Sequence, residues 1–199
     1  MVKDQASLAL ELFANLLDYP TPVLAQQAQS LSCTLRETRD EVQGASQAEA
    51  AALVTSFQDN VEKMSPNQVQ ELYTSTFDMQ PLCYPYVGYH LFGESYKRGA
   101  FMAQLNEGYR SFEYQVEKEL PDYVPAILRF LALGDSARQS DFGRVLLSEG
   151  LAPTVTKMAS AFNQHSQNPY AAAIAALHLF LAAILPGLNS EAKQEMKHA

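Results

Sequence analysis

Basic side chains are scarce in this sequence of 199 residues. Lysine and arginine together number 14, against 22 aspartates and glutamates, and the formal net charge is −8. Proteins that bind nucleic acid need a basic stripe to neutralise phosphates and release counterions. The composition therefore argues against a nucleic-acid partner and favours a basic or arginine-bearing one.

Cysteine is also scarce, since Cys33 and Cys83 are the only two and neither belongs to a CxxC pair. A chain of this length can bury a sizeable core without covalent staples. Reduced, packed thiols are therefore favoured over a disulfide, which predicts a reducing compartment. The first residues, MVKDQASLALELFANLL, lack the basic region and the small-residue cleavage site of a signal peptide.

Long apolar runs are missing as well. The longest, residues 170–185 (YAAAIAALHLFLAAIL), has 16 residues, many of them alanine, and contains a histidine. A membrane-spanning helix needs about 20 predominantly apolar residues. The run predicts a buried core helix, and no stable membrane insertion is expected.

Strand-like alternation between turn signals and repeats of fixed period are both absent. Apolar residues instead recur at helical spacing, as in Leu8, Leu12 and Leu16 of the first segment. We predict an all-α fold: a single-domain bundle of about eight or nine helices over residues 1–186, followed by a polar C-terminal tail over residues 187–199.

Capping signals predict where three of the early helices begin. Residues 21–22 (TP) offer a threonine cap and a proline at the first helical position. Residues 46–49 (SQAE) and residues 65–68 (SPNQ) both have the spacing of a capping box, in which serine and the acidic or amide side chain satisfy each other's backbone amides.

Other signals predict the later boundaries. A long helix is expected from about residue 94 to 112, followed by a helix with Asp122 as its cap and Gly134 just past its end. Two further helices should be separated at residues 150–153, which contain glycine and proline, and the last core helix should end before Pro186.

The least helix-like segment is residues 80–101 (QPLCYPYVGYHLFGESYKRGAF). Residues 88–95 have the spacing of a phosphate-binding loop, but Glu94 takes the place of the lysine and would repel phosphate. Lys97 replaces the second glycine of a nucleophile elbow, and no histidine has a metal-ligand spacing. These substitutions argue against an enzyme and predict no cofactor and no metal.

Three features leave a structural and a binding interpretation open. His90 lies among tyrosines and can serve the loop or contact a ligand. The acidic segment EYQVEKELPD, residues 113–122, is either a solvated helix end or an acidic rim for arginines. The dense aromatics of residues 73–96 are either core or one wall of a groove that is buried on one side and wet on the other.

Several segments in order resemble one family. ELYTSTFD, YVGYHLFGESYKRGAFMAQL, ELPDYVPAILRFLA and PYAAAIAAL are similar, at similar spacing, to the NarJ-type chaperones of molybdoenzymes, within the TorD/DmsD group of redox enzyme maturation proteins. The resemblance runs from about Leu8 to Leu185. Its most specific pieces are GES-x-x-RG at residues 93–99 and LPD at residues 120–122.

This resemblance implies a TorD-like cytoplasmic chaperone of the kind called the delta subunit of nitrate reductase. Such a chaperone is not itself an enzyme. Its partner would be the N-terminal leader peptide of a molybdoenzyme catalytic subunit, bound while the client is still unfolded or immature, so that molybdenum cofactor is inserted before membrane docking. The residues that the resemblance and the aromatic cluster assign to peptide binding are Tyr73, Phe77, Tyr86, Tyr89, His90, Glu94, Arg98, Pro121, Asp122 and Tyr123.

Two departures qualify the resemblance. Tyr123 stands where family members commonly have histidine, and the polar C-terminal extension of many nitrate reductase chaperones is nearly absent, so the client is either a nitrate reductase or another molybdoenzyme of the superfamily. Arg98 either contacts the ligand or pairs with Glu94 one turn away. The alternatives to a chaperone are a small helical metal-dependent hydrolase that uses His90 and a generic helical adaptor. The chain is expected to be a monomer or a dimer.

Overall fold

The chain folds as a bundle of helices around one apolar core. The structure is a computed structural model that describes residues 4–37 and 41–195, with side chains described for residues 4–37 and 45–185. Within these residues there are eleven α-helices and one π-helical segment, so the all-α class is confirmed. They are α1 (Gln5–Leu17), α2 (Leu24–Arg36), α3 (Glu41–Val61), α4 (Pro66–Phe77), α5 (Val87–Phe92), α6 (Tyr96–Arg110), α7 (Val124–Leu131), α8 (Asp135–Gln139), α9 (Asp141–Val145), the π-helical segment (Leu146–Leu151), α10 (Ala152–Ala161) and α11 (Pro169–Glu195). The number exceeds the predicted eight or nine because α5 is an additional short helix and because the helix predicted before residue 150 is divided into α8, α9 and the π-helical segment.

Two helix packings build the core. Helix α11 lies along α3, and α1 packs against α2 and α7. The ring of Phe13 on α1 meets that of Phe180 on α11 at 5.4 Å between centroids. The buried helix predicted for residues 170–185 is therefore confirmed. None of the helices in the described ranges is both long enough and apolar enough to span a bilayer.

The start of α1 is fixed by a buried arginine. Asp4 caps α1 by accepting a hydrogen bond from the Ser7 backbone amide, and the Arg138 guanidinium of α8 donates to the Asp4 carboxylate at 2.9 Å and to the Ser7 hydroxyl at 2.6 Å. Partial burial would raise the pKa of Asp4, but the hydrogen bonds from Ser7 and Arg138 outweigh it and lower that pKa to about 2. The N-terminus of α1 is thus tied to a segment far along the chain.

The predicted helix starts have mixed outcomes. The capping box at residues 65–68 is confirmed, since the Ser65 backbone amide donates to the Gln68 side chain at 2.8 Å and the Ser65 hydroxyl accepts from the Gln68 amide. The start at residues 21–22 is wrong, because the Leu24 amide closes a turn on the Thr21 carbonyl and α2 begins only at Leu24. The box at residues 46–49 is also wrong. Helix α3 begins at Glu41, so those residues lie inside a helix that tolerates the intrinsic cost of Gly44.

The predictions for α6 and α7 need correction. Helix α6 spans Tyr96–Arg110, shorter at both ends than residues 94–112. Asp122 does not cap α7, because Tyr123 is the N-cap residue and no side chain bonds the helix amides. Asp122 is instead buried and paired with Arg98. Gly134 does not follow α7 directly either: Ala132 ends that helix, and Gly134, with φ of 140°, precedes α8.

The predicted break at residues 150–153 is wrong. Helix α9, the π-helical segment and α10 follow one another without interruption from residue 141 to 161, and the Ala152 amide bonds the Leu147 carbonyl, five residues back. Widening the turn absorbs Pro153, which has no amide hydrogen to donate.

Helix α11 likewise continues through Pro186 to Glu195, so the predicted helix end there is wrong. A proline in a helix removes one hydrogen bond and need not end it. The proposed division into residues 1–186 and a tail stays a prediction; the tail's side chains and residues 196–199 lie outside the described residues.

Both cysteines are free thiols, as predicted. Cys83 is packed in the core, and burial raises its pKa to about 12, which keeps the thiol protonated and unreactive. Cys33 is exposed on α2, so the prediction that both thiols are packed is wrong for this one.

Candidate functional site

A pocket of about 270 Å³ lies where the end of α1, the end of α4 and the segment before α5 meet. We call it the acidic tyrosine pocket. Five tyrosines, one phenylalanine, one proline and three carboxylates line it, and the lining contains no lysine or arginine among the described residues. Its members are Asp18, Tyr19, Tyr73, Phe77, Asp78, Tyr84, Pro85, Tyr86, Glu119 and Tyr123.

One wall of the pocket is set by a short antiparallel pairing. Tyr86 and Tyr123 form an isolated β-bridge, in which the Val87 amide donates to the Asp122 carbonyl at 2.7 Å and the Val124 amide donates to the Pro85 carbonyl at 2.9 Å. The two tyrosine rings lie 5.5 Å apart. Because Pro85 has no amide hydrogen, only its carbonyl takes part, and the segment before α5 can pair on one side. The bridge brings together two tyrosines that are 37 positions apart in the chain.

A chain of hydrogen bonds crosses the pocket floor. The Tyr73 and Tyr123 hydroxyls lie 2.8 Å apart, the Tyr123 hydroxyl lies 3.2 Å from Asp18 Oδ1, and Arg129 donates to Asp18 Oδ2 at 2.6 Å. Burial raises the pKa of both Tyr73 and Tyr123. Both phenols therefore stay protonated. The network consists of this neutral pair of hydroxyls and, next to it, the ion pair of Arg129 and Asp18.

The rim of the pocket is acidic. The Tyr86 hydroxyl donates to Glu119 Oε2 at 3.1 Å, and burial, followed by the Glu119 charge, raises the pKa of Tyr86 to about 12. Asp78 is exposed at the end of α4. Tyr19 packs edge-on against Tyr73 at 5.5 Å between ring centroids. Aromatic faces next to carboxylates suit a guanidinium, which stacks on rings and forms directed, charge-assisted hydrogen bonds.

Arg98 and Asp122 lie behind this wall and not in the pocket. Asp122 has no exposed surface and accepts from Arg98 Nε at 2.8 Å and from Arg98 Nη2 at 3.3 Å. The hydrogen bond to Asp122 raises the pKa of Arg98, despite partial burial, so the guanidinium stays charged. The guanidinium carbon also lies 5.2 Å from the centre of the Tyr86 ring. Arg98 therefore positions Tyr86, and the predicted alternative partner, Glu94, is exposed and forms no ion pair with it.

The remaining predicted site residues surround α5. His90 Nε2 donates to the Tyr84 carbonyl at 2.7 Å, and Lys157 donates to the His90 carbonyl at 2.7 Å. Burial lowers the pKa of His90, which favours the neutral ring. Tyr89 stacks on Tyr84 with ring centroids 3.8 Å apart. The Tyr109 hydroxyl donates a hydrogen bond to the Pro121 carbonyl at 2.9 Å. The contacts of Tyr84 with His90 and Tyr89 hold the segment before α5, and the bond from Tyr109 holds the segment before α7.

Of the ten predicted residues, the structure brings four together in the pocket: Tyr73, Phe77, Tyr86 and Tyr123. Sequence reasoning missed Asp18, Tyr19 and Asp78, which come from the ends of α1 and α4. Their only signal was that each follows the last turn of a helix, where side chains are free to face a cleft. Tyr84 and Glu119 were noticed in the aromatic and acidic segments but not assigned to the site.

In the described part of the chain, no group of three His, Cys, Asp or Glu side chains is placed to bind a metal ion. His90 is engaged with a backbone carbonyl and has no nucleophile or carboxylate partner there.

The sequence of this chain has relatives among known proteins. The chain is 37% identical to the probable nitrate reductase molybdenum cofactor assembly chaperone NarJ of Bacillus subtilis (strain 168) over 84 residues, which is 41% of this chain and 46% of that protein. It is 29% identical to the nitrate reductase molybdenum cofactor assembly chaperone NarJ of Escherichia coli (strain K12) over 126 residues, 63% of this chain and 51% of that protein. The chain thus spans about half the length of these relatives. The family profile described as nitrate reductase delta subunit matches residues 40–185, and the chain therefore belongs to the nitrate reductase delta subunit family.

Proposed function

We propose that this protein is a non-enzymatic chaperone that binds the N-terminal peptide of a molybdoenzyme catalytic subunit, nitrate reductase-like, in the acidic tyrosine pocket. Binding would hold the client in a state that accepts molybdenum cofactor and would delay its docking at the membrane. The names of the two relatives support the chaperone role. In this proposal the cofactor is cargo of the client, and the chaperone acts in the cytoplasm as a monomer or dimer.

The observation that carries the proposal is the composition of the pocket. Three carboxylates and five tyrosines line it. Arg129 already pairs with Asp18 at 2.6 Å, whereas no ion pair among the described residues engages Asp78 or Glu119. An arginine of the peptide can place its guanidinium between Glu119 and Asp78 while its stem lies on the tyrosine rings. Apolar residues of the same peptide would then cover the exposed edges of Tyr19 and Tyr84, as expected for an amphipathic peptide.

Isothermal titration calorimetry with a synthetic peptide tests the proposal. The peptide is the N-terminal segment of a nitrate reductase-like catalytic subunit from the same organism. Glu119→Gln and Asp78→Asn should each weaken binding by about tenfold, the loss of one charge-assisted hydrogen bond. Glu71→Gln is the matched control, because Glu71 is exposed on α4 but does not line the pocket.

The peptide itself provides the second arm. Replacing its arginine by lysine should weaken binding, because an ammonium cannot form the planar, forked contact. The proposal fails if the wild-type protein does not bind the peptide, or if Glu71→Gln weakens binding as much as Glu119→Gln does.

A further inference from the structure

A second and larger concave surface lies at the other end of α5. We call it the α6–α9 cleft. Its volume is about 650 Å³, and it is lined by the end of α5, one face of α6, and one face of α9 with the π-helical segment. Tyr86 at the start of α5 belongs to the acidic tyrosine pocket, whereas Leu91 and Phe92 at its end belong to the cleft, and the two linings share no residue.

The walls of the cleft follow from helical spacing. Phe101, Leu105 and Gly108 recur along one face of α6, and Phe142, Leu146 and Gly150 recur along the facing helix. Leu105 and Leu146 are buried and form the floor. At one end the helices touch, because a Cβ at Gly108 would overlap the Phe142 ring. Two helical walls that converge in this way form a trough, the kind of surface on which an amphipathic helix docks.

The upper walls remain apolar and open to solvent. Val145 is 53% exposed and Phe92 is 38% exposed. Phe92 is held in place by Phe101 at 5.5 Å between ring centroids, and Phe142 by Phe130 of the core at 5.4 Å. Rigid, exposed apolar walls around a buried floor are what a helical partner needs for its anchors. The π-helical segment adds to this, since such segments recur at functional sites.

The charged side chains at the rim are all acidic. Glu107 on α6 and Glu149 on the π-helical segment stand on opposite walls and are exposed, and no lysine or arginine in the described chain lines the cleft. A partner helix with lysines or arginines beside its apolar face would pair with both rims. A second copy of this chain fits worse, because each copy carries a net charge of −8.

We propose that the α6–α9 cleft is a docking site for a basic amphipathic helix of a partner protein. Apolar anchors spaced at i, i+3 or i+4, and i+7 fill the trough, and basic side chains reach Glu107 and Glu149. The inference does not depend on the proposed function, because the acidic tyrosine pocket uses other residues.

The test uses two synthetic helical peptides with the same leucine face, one flanked by lysines and the other by glutamates. Binding to the full chain is measured by calorimetry at low salt. The lysine peptide should bind at least about tenfold more tightly than the glutamate peptide. Val145→Glu should weaken the lysine peptide by about tenfold, and the double variant Glu107→Lys, Glu149→Lys should reverse the preference between the peptides.

Val23→Glu is the matched control, since Val23 is 47% exposed and lies outside both the cleft and the acidic tyrosine pocket. Circular dichroism melts check that each variant is folded. Equal affinity for the two peptides, or equal weakening by Val23→Glu and Val145→Glu, overturns the proposal. Self-association of the wild type that Val145→Glu abolishes in sedimentation velocity would also overturn it, because the occupant would then be a second copy.

The client's N-terminal peptide separates the two proposed sites. Val145→Glu should leave its affinity unchanged. If Val145→Glu weakens that peptide as much as Glu119→Gln does, the cleft is an extension of the pocket and not an independent site. If the N-terminal peptide fails to bind the wild type while the lysine peptide binds as described, the proposed function fails and the cleft stands.

Discussion

At the scale of single residues, Tyr123 joins three parts of the molecule. Its hydroxyl lies 2.8 Å from that of Tyr73 on α4, 3.2 Å from Asp18 and 3.4 Å from the Leu17 carbonyl at the end of α1. The resemblance places a histidine at this position. A phenol donates and accepts one bond at a single oxygen, which is what a site between another phenol and a carboxylate requires. Tyrosine here therefore serves the pocket as a neutral link.

Tyr123→Phe should destabilise the protein by about 1–2 kcal/mol, because the buried Tyr73 hydroxyl loses its 2.8 Å partner and keeps only a long contact of 3.5 Å to the Leu17 carbonyl. Urea unfolding followed by circular dichroism measures the change. Peptide affinity should fall as well, since Asp18 and Tyr73 lose the group that orients them. An unchanged unfolding midpoint would show that the hydroxyl chain contributes nothing.

Tyr170→Phe is the contrasting substitution. Tyr170 is fully buried against Phe57, Tyr73 and Phe77, and among the described residues its hydroxyl has no hydrogen-bond partner. A buried hydroxyl without a partner costs free energy on folding. Removing it should leave stability unchanged or raise it by about 1 kcal/mol. A loss as large as that of Tyr123→Phe in the same urea titration would mean that the Tyr170 hydroxyl is bonded in solution.

At the scale of elements, α5 depends on the absence of a side chain at Gly88. A Cβ there would lie 2.6 Å from Asp122 Oδ2 and 2.9 Å from Arg98 Cγ. Gly88→Ala should therefore displace the buried ion pair and cost about 2 kcal/mol or more. Gly99→Ala on α6 is the control: nothing lies within 4 Å of its Cβ, so this variant should gain up to about 1 kcal/mol from helix propensity. Equal unfolding midpoints for the two variants would contradict the close packing of α5.

The start of α1 predicts an acid response. The pKa of Asp4 falls from its ordinary 3.8 to about 2 on folding. A carboxyl with a lowered pKa in the folded state contributes stability above its unfolded pKa, and that contribution is lost as the pH falls from about 4 to about 2. Asp4→Asn keeps the N-cap but removes the charge. Its thermal midpoint should vary less between pH 4 and 2 than that of the wild type, and parallel curves would show that folding does not lower the pKa of Asp4.

Whether the sequence could predict a contact depended on how far apart the two contacting residues are in the chain. The capping box at residues 65–68 was predictable because its bonds stay within one turn. The role of Asp122 was not, because its partner Arg98 is 24 residues away and no local pattern distinguishes a capping aspartate from a paired one. The pocket shows the same limit. Its tyrosines were predictable because they are dense in the sequence. The place of Asp18 and Asp78 in the pocket was not predictable, because it depends on the ends of α1 and α4 lying close together in the fold.

At the scale of the whole molecule, charge is divided unevenly. Residues 1–134 hold 9 basic and 17 acidic side chains, while residues 135–199 hold 5 of each, so the net charge of −8 arises in the first two thirds of the chain. All three carboxylates of the acidic tyrosine pocket and Glu107 of the cleft belong to that part. The electrostatic field of this negative charge accelerates the approach of a basic partner. The field is screened over the Debye length, which is about 10 Å at 0.1 M ionic strength and becomes shorter as salt is added.

The association rate of an arginine-bearing N-terminal peptide should therefore fall steeply as sodium chloride rises, while its dissociation rate changes little. Stopped-flow fluorescence measures both rates. A peptide with the arginine replaced by norleucine should lose most of the salt dependence, because it keeps the apolar contacts but not the charge. Glu71→Gln should reduce the association rate slightly, through net charge alone, and Glu119→Gln should in addition speed dissociation, through the lost contact. If both variants changed the association rate only, the pocket would steer the peptide without holding it.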